Sequence, residues 1–217
     1  MKKLIIFDLD GTLIDTVIDA GRCFKKTLEH FGFASQAISK FDCLVGGDLE
    51  LIFSSLLEEK DRTFENMSKL KTKYREIYSL DPKPNTKPFD GILDVLRKLN
   101  DDNDITMAVN TNKSQVLAEK LCENMFGGIN FSSIFGYLED RPSKPDPYAV
   151  NEIMKINNVA PKDAIFVGDS LTDVKTAQNA GIDCIFVNWL QSDMSKLLLE
   201  TKVPFVANEP VDIFKFL

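Results

Sequence analysis

The chain has 217 residues, 44% of them apolar and 27% charged, which suits one large core or a core with an insertion. Its net charge of −7 and the lack of a basic face argue against nucleic acid or an anionic membrane as a partner, so any anionic substrate should be small. No apolar run has the length of a secretory signal or a membrane span, and Cys23, Cys43, Cys122 and Cys184 form no Cys-x-x-Cys pair; a cytoplasmic protein with reduced, buried cysteines is expected.

The first element, Leu4-Ile5-Ile6-Phe7, is a β-type apolar run that ends in Asp8, Asp10 and Gly11. It predicts a strand buried on both faces with two carboxylates at its C-terminal end, able to point into one crevice. Helices follow over residues 16–31, with Val17, Ala20, Phe24, Leu28 and Phe31 on one face, then about 48–58 and about 63–78. The only histidine, His30, reads as an ordinary helix residue, which leaves a Ser-His or Cys-His pair without its usual base. Pro82, Pro84 and Pro88 then stiffen a connection. Beyond it, helices near 91–99, 113–125, 147–157 and 173–179 alternate with strands at 105–109, 134–137, 164–167 and 184–187, and a short strand lies near 205–206. The alternation predicts an α/β fold, a doubly wound parallel sheet. Residues 1–14 and 86–217 should form this core, and 15–85 a small inserted helical cap.

Polar clusters recur at the ends of the predicted strands. Asp8 and Asp10 follow the first, Asn110-Thr111-Asn112-Lys113 the strand at 105–109, and Gly168-Asp169-Ser170-Leu171-Thr172-Asp173 the strand at 164–167, while Lys144 sits in a proline-rich loop before a helix. Each alone also reads as an Asp-Gly turn, a helix cap or a surface loop; together they favour a site. A calcium loop is excluded, because it needs a preceding helix, glycine at its sixth position and glutamate at its twelfth. Counting from Asp8 gives a preceding strand, Leu13 and Asp19. A phosphoryl-transfer reading accounts for every residue type. Asp8, Asp169 and a main-chain carbonyl near Asp10 would offer the hard oxygens that magnesium prefers. Lys144 would offset the repulsion between an attacking carboxylate and phosphate, Thr111 would hold phosphoryl oxygens, and Asp10 would act as general acid and then base.

Asp8-Leu9-Asp10-Gly11-Thr12-Leu13, Thr111-Asn112-Lys113, Lys144-Pro145-Asp146-Pro147 and Gly168-Asp169-Ser170-Leu171-Thr172-Asp173 resemble the four motifs of the haloacid dehalogenase superfamily of phosphohydrolases, in the same order. The stretch from Ala177 to Gly181 is similar as well. Within that superfamily the chain is most similar to the phosphoglycolate phosphatase group. The resemblance implies a Rossmann-like core and a magnesium-dependent phosphatase that hydrolyses a small phosphomonoester, such as 2-phosphoglycolate, through an aspartyl-phosphate. It implies that Asp8 is the nucleophile, Asp10 the acid/base, Thr111 and Lys144 catalytic phosphate contacts, and Asn112 a further substrate contact. It places magnesium on Asp8, Asp10 and Asp169, with Asp173 behind the ligands or on a metal-bound water. An aspartate at position 10 favours phosphate over a haloacid as substrate.

Two alternatives accompany this reading. A sugar-phosphate mutase of the same superfamily would pass the phosphoryl group back to a sugar, and a receiver-like signalling module uses a similar set of residues without turnover. A receiver is shorter and has no helical insertion after its first strand. Substrate choice should rest with the cap, where Arg22 is the first candidate contact for an anionic leaving group, with Lys25, Lys26 and the Gly46-Gly47 turn beside it. These also read as solvated helix surface and a plain turn. Hinges are expected near residues 15–16 and 81–88. The sequence sets no oligomeric state.

Overall fold

The computed structural model describes residues 2–33, 49–190 and 205–217. Strand β1 (Leu4–Phe7) is wholly buried, and its alternation divides the interior. It is followed by β2 (Ile14–Asp15), α1 (Val17–His30), α2 (Leu49–Leu56), α3 (Phe64–Leu80) and β3 (Lys87–Pro88). The chain then runs through α4 (Ile92–Asn100), β4 (Thr106–Ser114), α5 (Gln115–Met125), β5 (Phe131–Tyr137), α6 (Tyr148–Ile156), β6 (Ala164–Gly168), α7 (Leu171–Ala180), β7 (Asp183–Val187) and β8 (Phe205–Ala207).

Six strands form one parallel sheet in the order β5-β4-β1-β6-β7-β8. Ile5 and Phe7 face a core shared with Val95, Leu96 and Leu99 of α4 and Ala118 and Leu121 of α5. Leu4 and Ile6 face the opposite core, with Val150 and Ile153 of α6 and Val174 and Ala177 of α7. Each such side chain contributes roughly 1.5–3 kcal/mol by leaving water. Because β1 has partners on both edges, it fixes the register of β4 and β6 together.

Helices α1 to α3 bury a separate cluster against one another. Phe24 stacks on Tyr74 at 4.1 Å and meets Phe53 edge-on at 5.2 Å, with Ala20, Leu28 and Leu70 around them. The two strands that connect this unit to the sheet lie side by side, Ile14 opposite Pro88 and Asp15 opposite Lys87. Both are too short to leave a periodic signal in the sequence. A further difference is the 3-10 turn Pro210–Phe216, which the sequence reading missed and which buries Ile213 in the α4 side of the core. Cys23, Cys122 and Cys184 are buried and free, while Cys43 lies outside the described residues. Among the described residues no helix is long and apolar enough to cross a membrane.

A charged clasp closes the joint between insertion and sheet. Asp19 accepts hydrogen bonds from the Asn85 N–H at 2.9 Å and from the Thr86 hydroxyl at 2.7 Å. Arg22 reaches both Asp19, at 2.9 Å, and Asp81, which takes its guanidinium through two oxygens at 2.5 and 3.2 Å. Burial works to raise the Asp81 carboxyl, but Arg22, the Lys83 N–H and Lys26 outweigh it and hold the group at about 2. Arg22→Ala should therefore lower stability by about 1–3 kcal/mol, read from the urea midpoint at neutral pH. The Asp81 contribution is complete above the ordinary value of 3.8 and is lost as pH falls through about 2. The stability gap between wild type and Asp81→Asn should shrink over that window; a gap constant with pH would show that the charge is not what matters.

Candidate active site

Where the strand order reverses, between β4 and β6 at the carboxyl end of β1, an open α/β sheet leaves a crevice. Asp8 leaves β1 into it with its N–H still donating to the Val167 carbonyl at 2.8 Å. Gly11 turns the chain with a φ of 83°, in the left-handed region that favours glycine. The Thr12 hydroxyl then donates to Asp169 at 3.3 Å.

Lys144 ties the motifs together. Its ammonium is 2.7 Å from Asp8 and 2.5 Å from Asp173, and its side chain is only 2% exposed. Asn112 holds its main chain from both sides, accepting from the Lys144 N–H at 3.0 Å and donating to the Lys144 carbonyl at 3.3 Å. Asp173 in turn closes a capping box on α7, accepting from the Ser170 N–H at 3.0 Å and hydroxyl at 2.6 Å. Helix α7 therefore starts two residues earlier than the sequence suggests, and Asp169 lies just before its N-cap, Ser170. Strand β4 likewise runs on through Asn110 to Ser114, because pairing with β5 continues across a register shift.

Carboxylate oxygens of Asp8, Asp169 and Asp173 lie within 4.8 Å of one another. Burial pushes the Asp8 carboxyl up against the pull of Lys144, and Asp173 adds to the rise. Asp169 is raised by burial and by the negative charges of Asp173 and Asp8, against the pull of Lys144. Burial opposes the charge on Lys144, but Asp173 and Asp8 outweigh it and keep the ammonium well protonated. Three carboxylates thus share one cation, and the surplus charge on hard oxygen donors fits a divalent metal ion.

The Asp10 carboxylate lies outside this cluster of three. Lys113 draws it away at 2.9 Å and also donates to the Tyr78 hydroxyl at 3.1 Å. The second carboxylate oxygen of Asp10 is buried with no partner among the described residues. Sequence reading gave Lys113 no role, although it follows Thr111 and Asn112 directly.

A cavity of about 120 Å³ opens above these groups, with Asp8, Asp10, Thr111, Asn112 and Lys144 on one side and Phe24, Ile52, Tyr74, Arg75 and Tyr78 of the insertion on the other. Arg22 does not line it. Its guanidinium is held by Asp81 and Asp19 at the joint, so the expected leaving-group contact is a structural clasp instead. Lys26 leans toward Asp81 at 3.6 Å and Lys25 toward Glu29 at 3.8 Å. The Gly46-Gly47 turn lies outside the described residues. His30 is exposed at the far end of α1 and is not a lining residue.

The sequence profile of the haloacid dehalogenase-like hydrolases matches residues 5–187. The chain belongs to that family. Phosphoglycolate phosphatase 1 of Pseudomonas aeruginosa is 32% identical to it over 188 residues, 85% of this chain and 68% of that protein. Phosphoglycolate phosphatase of Aquifex aeolicus is 27% identical over 216 residues, 99% of this chain and 96% of that protein. A haloacid dehalogenase-like family hydrolase of Streptococcus pneumoniae shares the fold, with a TM-score of 0.84 at 24% identity over 99% of this chain and 98% of that one. This haloacid dehalogenase-like hydrolase is a phosphoglycolate phosphatase-like phosphoric monoester hydrolase. The receiver-like alternative is set aside.

Gly168 supplies a direct test of how the site of this hydrolase is supported. A Cβ there would stand 2.4 Å from the Cβ of Asp173 and 2.5 Å from its carboxyl carbon. Gly168→Ala must displace the residue that seats Lys144, at a cost of about 1–3 kcal/mol. The denaturation midpoint should fall and kcat with it; wild-type values for both would show that the strand end yields freely.

Proposed function

We propose that the protein is a magnesium-dependent phosphatase that hydrolyses a small phosphomonoester, 2-phosphoglycolate or a close analogue, through an aspartyl-phosphate on Asp8. The observation that carries this reading is the different treatment of two carboxylates only two residues apart. Asp8 sits in the acidic cluster against Lys144, whereas Asp10 is held out of it by Lys113 with one oxygen unpartnered. In this reading Asp8 serves as the nucleophile and Asp10 as the proton carrier. Asp8, Asp169 and the main chain at Asp10 would hold the magnesium, with Asp173 seating Lys144 behind them. When bound, the ion would neutralise charge on the phosphate and on the attacking carboxylate.

Asp8 attacks phosphorus while Asp10 gives its proton to the departing alkoxide oxygen. Asp10 then takes a proton from water, which attacks the acyl phosphate, releases inorganic phosphate and restores Asp8. Lys144 and the Thr111 hydroxyl hold phosphoryl oxygens, and Asn112 acts through Lys144 by fixing its main chain. In this reading residues 1–14 and 86–217 form the catalytic core, and 15–85 a cap that closes by bending at the paired connections. The small cavity and its aromatic wall favour small esters over nucleotides or phosphoproteins. A reducing, cytoplasmic setting suits the three buried free thiols.

Asp8→Asn is nearly isosteric and should fold, yet lose on the order of 10⁶ in kcat. Phosphate release from 2-phosphoglycolate measures this, and it also separates hydrolysis from transfer to a sugar. Full activity in that variant would end the aspartyl-phosphate reading. Excess chelator should abolish turnover and magnesium restore it, whereas calcium, which tolerates more ligands and looser geometry, should inhibit. Turnover undiminished by chelator would remove the metal from the mechanism.

A further inference from the structure

Among the described residues three cationic side chains line the cavity: Lys144, Lys113 and Arg75. Lys144 is neutralised by Asp8 and Asp173, and Lys113 by Asp10. Arg75, on α3, has no carboxylate and no hydrogen-bond acceptor among the described residues. Its guanidinium lies 4.2 Å from the ring centre of Tyr137, at the end of β5, so the fork of donors is supported by an aromatic ring. Apart from Thr16, the insertion's part of the wall is otherwise apolar or aromatic among the described residues, with Phe24, Ile52, Tyr74 and Tyr78. A charge whose donors have no acceptor among the described residues, in such a wall and sharing the cavity with the phosphoryl site, is open to an anion from the ligand.

We infer that Arg75 is the specificity-determining residue for the leaving group, and that it selects phosphomonoesters whose leaving group carries a carboxylate. The inference rests on the phosphatase reading above. Because the guanidinium belongs to the insertion and its ring support to the sheet, the receptor for the carboxylate is complete only when the two parts meet. A neutral ester of the same size can fill the cavity but leaves the fork without an acceptor.

The test compares kcat/KM for 2-phosphoglycolate and 2-hydroxyethyl phosphate, esters of similar size that differ in the carboxylate, in wild type, Arg75→Ala, Arg75→Gln and Arg75→Lys. Wild type should prefer the acidic ester. In Arg75→Ala and Arg75→Gln the ratio of the two values should fall about 10- to 100-fold, the range for a lost hydrogen bond to a charged group. Arg75→Lys should fall between, since it keeps the charge but not the fork. Tyr137→Leu, which removes the supporting ring, should lower the same ratio by less. An unchanged ratio, or equal losses on both esters, would overturn the assignment and leave the phosphatase reading standing. So would a wild type that cleaves both esters without preference. A wild type that cleaves no phosphomonoester in magnesium would overturn both.

Discussion

A single ammonium group, buried between carboxylates from opposite ends of the sequence, is the constraint on which this site depends. A charge removed from water costs several kcal/mol unless it is paired and its remaining hydrogen-bonding capacity is met. Lys144 satisfies that condition only if the end of β1, the end of β6 and the start of α7 converge on it. Each neighbour is secured in turn: Asn112 pins the Lys144 main chain, Ser170 pins Asp173, and Gly168 leaves the space that Asp173 occupies. The result is over-supplied with negative charge, and that surplus gives a metal ion a reason to bind.

The core of this arrangement was legible in the sequence because strands in a parallel sheet advertise themselves. Leu4 to Phe7 and Ala164 to Gly168 are continuous apolar runs, and both end in aspartate and glycine. Asp8, Asp10, Thr111, Asn112 and Lys144 do line one cavity. What failed was orientation within the insertion. Arg22 and Arg75 both sit on charged helices, and no local pattern shows which face looks toward the sheet; that is decided by how α1 and α3 pack through Phe24, Tyr74 and Tyr78. The resemblance to the superfamily grouped Asp10 with the metal ligands. The competing partner, Lys113, comes from a strand paired to β1 and could not be read from spacing within the first motif.

The insertion and the sheet meet through contacts different in kind from those inside either. Each has its own apolar cluster, whereas the seam is made by Tyr78 on Lys113, Arg75 on Tyr137 and the partly buried Leu117. Polar and cation–π contacts of this sort are worth about 0.5–2 kcal/mol apiece, well below a packed core. Leu117 is the apolar side chain that packs against both clusters, while Asp19, Arg22 and Asp81 hold the joint itself.

The position of β1 in the sheet also bears on how the chain comes into being. Its partners are Thr106 to Val109 on one side and Ala164 to Val167 on the other, so β1 is synthesised well before either and is among the last strands to be fully paired. At ordinary elongation rates of about 5–20 residues per second, Leu4 to Phe7 wait roughly ten seconds or more before β6 exists. During that interval four large apolar side chains have no sheet to enter, and the local cluster of α1, α2 and α3 can form ahead of the fold that flanks it. The central placement that anchors Asp8 therefore exposes the nascent chain to wrong strand partners, and production of this protein should be sensitive to translation speed and to holding chaperones.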